Sequence, residues 1–313
     1  MSGVPTLRKA KRERPEGITT ADRALRWYSA LVYVFLYVPI AVVVLLSFNS
    51  GMHASDLQGF SLRWYGEAWS DAFVTEALEN SLFIATTTAI LATTFGTMAA
   101  LALQRVRGPL RALYDALTYA AIMVPGIVIG IATLVFVVLA FDWLNGWISY
   151  LWPAGVAAPE LTLGRLTVIA AHTLFTMAIV IVLVRARLAG MDRSLVEASG
   201  DLFATPWGTF RQVTLPQLFP AILAGFLLAF TFSFDDFIIA LFVAGPDNTL
   251  PLYVFSSIRR GVSPKINAIA SVMLAVTLTF LFAAQIILRY SGRRSRQPVV
   301  QFEPSEAGST LAA

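Results

Sequence analysis

The 313-residue chain has no cysteine. Disulfides, thiolate nucleophiles and zinc–sulfur centres are therefore excluded, and the redox compartment leaves no mark on the sequence. Lysine occurs only at Lys9, Lys11 and Lys265, never after a glycine. A phosphate-binding loop of the G-x-x-x-x-G-K-[ST] type is thus absent, and with it an ATPase site of that kind. The two histidines, His53 and His172, stand far apart and suggest no cluster for metal or acid–base chemistry. Charge is scarce too: Asp, Glu, Lys and Arg make up 13% of the chain, against about 25% in soluble domains. Apolar residues reach 57% without glycine, where soluble domains hold about 45–50% with it. So little charge cannot coat a soluble surface around so much apolar mass. The expected solvent is a bilayer, and the expected protein is not an enzyme.

An uncharged run of about 18 or more residues has the length of a membrane-crossing helix. Six segments qualify: 27–55, 80–104, 116–141, 166–184, 212–234 and 266–288. The fifth is interrupted by Asp235-Asp236 and resumes over 237–245. In hydrocarbon a spanning segment must satisfy its own backbone, and segments this long do so as helices rather than barrel strands. Six crossings leave both termini on one side. Eighteen Lys and Arg residues fall on that side and five on the other, so the positive-inside rule predicts cytoplasmic termini. The five include Arg259, Arg260 and Lys265, an outer basic group that the rule does not explain. The net charge of +4 thus reads as a topology signal, and nothing points to nucleic acid. The basic N-terminal run leads into a full-length span without a small-x-small cleavage site, so the first helix is expected to be retained. The expected organisation is a basic tail over 1–26, a six-helix domain over 27–290 and a tail over 291–313. The polar stretches 1–20 and 297–313 are expected to be disordered.

The segment 185–216, between the fourth and fifth spans, has the pattern of a folded element. Leu195, Ala198 and Leu202 recur on one helical face. Thr205-Pro206 supplies a second helix start, with Thr as N-cap and Pro at the first helical position. Trp207, Phe210 and Val213 continue an apolar face, and Leu215-Pro216 and Pro220 mark the turn into the membrane. Two readings follow: a knob that docks on another protein, or an amphipathic hairpin lying on lipid headgroups.

Glu197-Ala198-Ser199-Gly200-Asp201-Leu202, followed by Val213-Thr214-Leu215-Pro216, resembles the EAA loop of ABC-importer permeases. The resemblance implies that Glu197, Ala198, Gly200, Asp201, Leu215 and Pro216 belong to a coupling loop that docks on a separate ATPase subunit. That family usually has glycine six residues after the glutamate; here the position is Phe203. Phenylalanine lacks glycine's backbone freedom, so the bend is expected either to differ or to fall partly on Gly200. Leu228-Ala229-Phe230-Thr231-Phe232-Ser233-Phe234-Asp235-Asp236-Phe237 and Phe242-Val243-Ala244-Gly245-Pro246 are similar to the fifth helix of spermidine/putrescine permeases. Leu250-Pro251-Leu252-Tyr253, Gly261-Val262-Ser263-Pro264 followed by Asn267-Ala268, and Gln58-Gly59-Phe60-Ser61-Leu62-Arg63-Trp64-Tyr65 extend the likeness. Those permeases commonly carry an acidic residue after the proline of span three, where this chain has Gly126 after Pro125. The resemblance implies an all-α integral membrane protein with the six-helix type I ABC-importer permease fold, in the bacterial cytoplasmic (inner) membrane. It also implies a second permease subunit, two copies of a cytoplasmic ATPase, an external substrate-binding protein and a polyamine substrate. ATP and magnesium would sit on the ATPase, with no cofactor or metal on this chain.

The adjacent carboxylates of the fifth span need a compensating partner, because one near the centre of a span costs about 2.5–3.5 kcal/mol on insertion scales. Counted from Pro220, the pair falls in the outer half of the bilayer at ~1.5 Å per residue. On a continuous helix Asp235 and Asp236 would flank one face of a cavity, with Thr231 and Ser233 beside them. Phe232, Phe234 and, near the outer entrance, Trp64 could offer aromatic faces to an ammonium group. A polyamine needs that mixture of separated negative charge and aromatic walls. The competing structural readings are an ion pair with a neighbouring helix for the aspartates, an interfacial belt position for Trp64, and interhelical packing or hydrogen bonding for His172. Asn80, Asn145 and Gln285 lie near span ends and require no function. Alternatives are an importer of an amino-acid-like or phosphonate compound and a proton-coupled secondary transporter using Asp235 and Asp236. The second usually has inverted repeats and broken helices, which the sequence does not suggest. A membrane-embedded enzyme lacks its nucleophile–base motif or metal cluster.

Overall fold

The computed structural model describes residues 20–52, 58–153, 155–261 and 263–294. His53, Val262 and most of both tails lie outside the described residues. Helices dominate the rest, with one isolated antiparallel bridge between Asn49 and Phe60. Six helical runs are long and apolar enough to cross a membrane. They comprise α1 (Thr20–Leu46), α3 (Ala72–Leu103), α5 (Gly126–Leu151), α6 (Arg165–Ala189), the run ending in α9 (Leu215–Asp235), and α12 (Pro264–Arg294). Shorter helices join them: α2 (Arg63–Ser70), α4 (Pro109–Met123), α7 (Ser194–Asp201), α8 (Pro206–Thr209), α10 (Ile238–Val243) and α11 (Leu250–Arg260).

The third span is displaced from its predicted position. Pro125 lacks an N–H and pushes Val124 into an extended conformation (φ −68°, ψ 130°). The apolar run over 116–141 is thereby cut into the end of α4 and the start of α5. The span continues past Asp142, which is exposed, to Leu151.

α3, α6 and α9 pack together most extensively and form the centre. Membrane helices approach closely where side chains are small, and α3 presents Ala85, Ala89, Ala92, Gly96 and Ala100 to this contact. Val180 of α6 fills the space left by two glycines, Gly96 of α3 and Gly225 of α9. A Cβ on Gly96 would stand 2.8 Å from the Val180 Cβ, and one on Gly225 would stand 3.3 Å from its Cγ1. α1 lies at the opposite extreme. No residue in its apolar window is buried, and it packs on α12.

Polar ties hold the helix ends at one pole of the bundle. Asp71 caps α3 by accepting from the Phe73 N–H (2.9 Å) and pairs with Lys265 of α12. The Lys265 hydrogen bond holds its carboxyl below the usual range. Lys265 is thus explained as a helix-to-helix ion pair, and Arg259 and Arg260 occupy the last turn of α11, where cations suit the helix dipole. Asn80, assigned no role from sequence, is buried and donates to the Asn248 carbonyl (2.9 Å), while Ser81 accepts from the Leu250 N–H (2.7 Å). Asn145 makes a reciprocal pair with the Leu161 backbone (2.8 and 3.1 Å).

Candidate functional site

The two aspartates do not share one helical face, because α9 stops between them. Asp235 is its last residue, and Asp236 is extended (φ −74°, ψ 126°) before α10 begins. Asp236 Oδ2 accepts from the N–H groups of Ile239 (2.9 Å) and Ala240 (3.3 Å), capping α10. The same oxygen lies 3.2 Å from His172 Nε2, while His172 Nδ1 lies 2.8 Å from Ser233 Oγ. With Nε2 donating to the carboxylate, a neutral ring accepts from the Ser233 hydroxyl through Nδ1. His172 is 2% exposed on α6, so the clasp joins α6 to both sides of the break. Its predicted interhelical hydrogen-bonding role agrees with this geometry. Ser233 reaches Asp236 only through that ring, and the Thr231 hydroxyl is buried without a partner.

Asp235 is in a different position. It is exposed and has no hydrogen-bond or ion-pair partner among the described residues. At the C-terminal end of α9 the free carbonyls carry the negative end of the helix dipole. Carboxylate and carbonyls together favour a cation. Phe232, three residues earlier, is 47% exposed and stands edge-on to Phe175 at 6.0 Å. Phe234 faces the other way. It is 1% exposed and stacks on Phe230 in the α3–α6–α9 core, so it offers no face to a pathway. Trp64 is buried on α2 beneath the Arg63 guanidinium (5.1 Å) and is not an open aromatic wall. The sequence marks His172 as an ionisable side chain inside a span but does not name Ser233 and Asp236 as its partners.

The predicted coupling loop folds as two short helices. Thr205 Oγ1 accepts from the Gly208 N–H (3.1 Å), as expected of an N-cap. From Pro206 the chain is helical through to Asp235, so there is no separate turn at Pro216. A π-helical turn over Phe210–Thr214 instead precedes that proline, whose ring and missing N–H disrupt regular α-helical bonding. α7 buries no side chain; Ser199 Oγ meets Thr209 Oγ1 at 2.9 Å. Val196, Glu197 and Gly200 line a cleft of about 960 Å³ against the ends of α3 and α6, with Arg105 and Arg193. Leu195, Ala198 and Leu202 fall on another face, and Asp201 ends the helix exposed.

The bend after α7 is retained despite the missing glycine. Phe203 itself takes φ 59°, while Gly200 remains helical. The Phe203 N–H donates to the Gly200 carbonyl (2.9 Å) and the Ala204 N–H to the Ser199 carbonyl (3.1 Å), the two bonds of a Schellman C-cap. The expectation that Gly200 shares the role is thereby corrected.

Residues 92–297 match the family described as binding-protein-dependent transport system inner membrane component. The chain belongs to that family. Among curated relatives, the putrescine transport system permease protein PotI of Escherichia coli K12 is 40% identical over 271 residues, covering 85% of this chain and 91% of the relative. The spermidine/putrescine transport system permease protein PotC of the same strain is 32% identical over 263 residues, with 84% and 92% covered. A bacterial ABC transporter involved in the import of the acidic polysaccharide alginate aligns with a TM-score of 0.69 at 14% identity, covering 88% of this chain and 96% of that one. The inward-facing MetNI methionine ABC transporter aligns at 0.55 and 16% identity, covering 72% and 98%. The fold is that of an ABC-importer permease. The family member described here is a multi-pass inner-membrane transport subunit, with ATP hydrolysis on a separate subunit. The break at Asp236 removes one argument against a secondary transporter, namely the lack of a broken helix. Family membership sets that rival aside instead.

Proposed function

We propose that this chain is one membrane subunit of an importer of polyamines, putrescine or spermidine, and that Asp235 contacts the passing ammonium group. The exposed Asp235 carboxylate at the broken end of α9 carries this reading, with PotI and PotC as its relatives. Asp236 is engaged by two backbone amides and His172, so its role is to hold the break. A free carboxylate beside an exposed Phe232 suits a cation that arrives and leaves. It disfavours an anionic phosphonate. A diammonium chain needs a second anion, which a related second permease subunit would supply across the shared pathway.

The assembly would contain that second permease, two cytoplasmic ATPase subunits and an external substrate-binding protein. ATP and magnesium belong to the ATPases, this chain holds no cofactor, and both termini face the cytoplasm. Closure of the ATPases on ATP would move loop 194–209 and through it α6 and α9, tilting the Asp235 site from outward to inward access. Uptake of labelled putrescine and spermidine by Asp235→Asn and Asp236→Asn tests the division of labour. Asp235→Asn should abolish most uptake at unchanged membrane abundance, with polyamine binding to the external protein unaffected. Asn is itself a good cap, so Asp236→Asn should do less. Normal uptake by Asp235→Asn would remove Asp235 from the pathway.

A further inference from the structure

Phe203 combines two unfavourable features at one residue. Its φ of 59° is the one positive φ outside glycine among the described residues. Its side chain is 95% exposed, more than any other large apolar side chain described. The Schellman bend requires the left-handed conformation, and glycine would supply it without a steric penalty. Water would equally favour a polar side chain there. Neither the backbone nor the solvent explains a phenyl ring, so the explanation must lie in what the ring touches.

The surroundings point to a protein surface. Leu202 is 81% exposed, Trp207 69% and Leu195 49%, so Phe203 is one of several large apolar side chains that the hairpin leaves exposed. α7 is eight residues long and buries none of them; a helix that short is not stable alone. Its stability must come partly from a covering surface. A lipid leaflet would provide one, but over 192–211 the hairpin carries Asp192, Glu197 and Asp201 against Arg193 and Arg211, with no positive excess. Interfacial helices need Lys or Arg on the polar face to meet anionic headgroups. The charge pattern therefore selects a protein partner.

We propose that Phe203 is an anchor of the ATPase interface, its ring entering an apolar pocket on that subunit with Leu202 and Trp207 beside it. The proposal rests on the reading that loop 194–209 docks on the ATPase, and it names the residue that carries the affinity. Aromatic anchors at interface centres commonly dominate binding. Phe203 accepts a strained backbone because the ring is needed at the apex of the bend.

The test uses the complete transporter. Phe203→Gly relieves the left-handed strain, so the permease should keep or raise its thermal midpoint and membrane abundance. Retention of the ATPase on purification should nevertheless fall by about tenfold or more, with loss of substrate-stimulated hydrolysis, while Phe203→Tyr retains both. Ala198→Asp, on the adjoining face, separates the two levels of the argument. Loss of the ATPase in Ala198→Asp but not in Phe203→Gly would overturn the anchor and keep the docking loop; retention in both would overturn the docking reading as well. The chain has no cysteine, so Phe203→Cys accepts one environment-sensitive fluorophore at this site alone. A blue shift on adding the ATPase supports the proposal. Quenching by brominated phospholipid without any response to the ATPase would assign the ring to the membrane and overturn it.

Discussion

Val180 and Phe203 are both apolar, lie 23 residues apart in sequence, and meet opposite surroundings. Val180 is fully buried between Gly96 and Gly225, at the crossing of three helices from the same chain. Phe203 stands almost wholly exposed on a hairpin whose first helix buries nothing. The core of this permease is completed by its own chain; the hairpin leaves its apolar side chains uncovered. Burial also separates the two neighbouring aspartates, since the one with internal partners holds structure and the one without is free to meet a ligand.

Glycine substitutions sharpen that comparison with the largest expected effect. Gly96→Val adds three carbons where one already meets the Val180 Cβ at 2.8 Å. Such overpacking typically costs about 1–3 kcal/mol, and the rigid three-helix crossing puts this site at or above the upper end. Membrane abundance of the complex should fall severalfold, and Val180→Ala in the same chain should restore part of it. A Cβ on Gly200 meets nothing within 4 Å, so Gly200→Ala should leave abundance unchanged and favour α7 by up to about 1 kcal/mol. Equal damage from both would break the distinction between a self-completed core and an open hairpin.

Removal of the clasp comes next. His172→Ala deletes the hydrogen bonds to Ser233 and Asp236 and leaves a buried hydroxyl unpaired, a loss of about 1–3 kcal/mol. We expect a lower thermal midpoint for the purified complex and reduced maximal polyamine uptake. His172→Gln, which keeps a donor toward Asp236, should recover more of both than alanine does. Uptake and midpoint at wild-type values in His172→Ala would show that the helix break stands without its ring.

The smallest effect belongs to the polar tie at the start of α3. Lys265 depresses the Asp71 carboxyl in the folded state. The resulting stabilisation is therefore present above the unfolded aspartate pKa of about 3.9 and is lost as pH falls through the lower, folded value. Asp71→Asn keeps the cap but not the charge, and should lower stability by at most about 1 kcal/mol near neutrality. Thermal midpoints measured against pH should show mutant and wild type converging only in acid. A difference independent of pH would assign the contribution to the cap rather than the ion pair.

Much of the fold was legible because the bilayer imposes simple requirements on sequence. Uncharged length located six spans, and Thr205-Pro206 announced a helix whose cap the structure contains. Pro125 was visible, but its effect in moving the third span to α5 was not read from an apolar run that crosses it unbroken. The candidate site was half legible: Asp235-Asp236 stood out as charge inside a span, whereas their separation by a helix end did not. Periodicity assumes the helix continues, and no glycine or proline between 226 and 244 signals a break. Phe234 was misplaced for a related reason, since an aromatic residue beside a carboxylate looks the same whether it faces a cavity or a core.

The sequence by itself determined the solvent, the number of crossings and the family, because each depends on composition, length or contiguous motif. Only the tertiary structure decided which aspartate is free. That outcome depends on His172, 64 residues earlier than Asp236, and on two amides beyond the break, whose arrival at one oxygen no local pattern encodes. It also decided that Phe203 takes a conformation suited to glycine. The residue type argues against that bend, and the hydrogen bonds that close it outweigh the preference of the side chain.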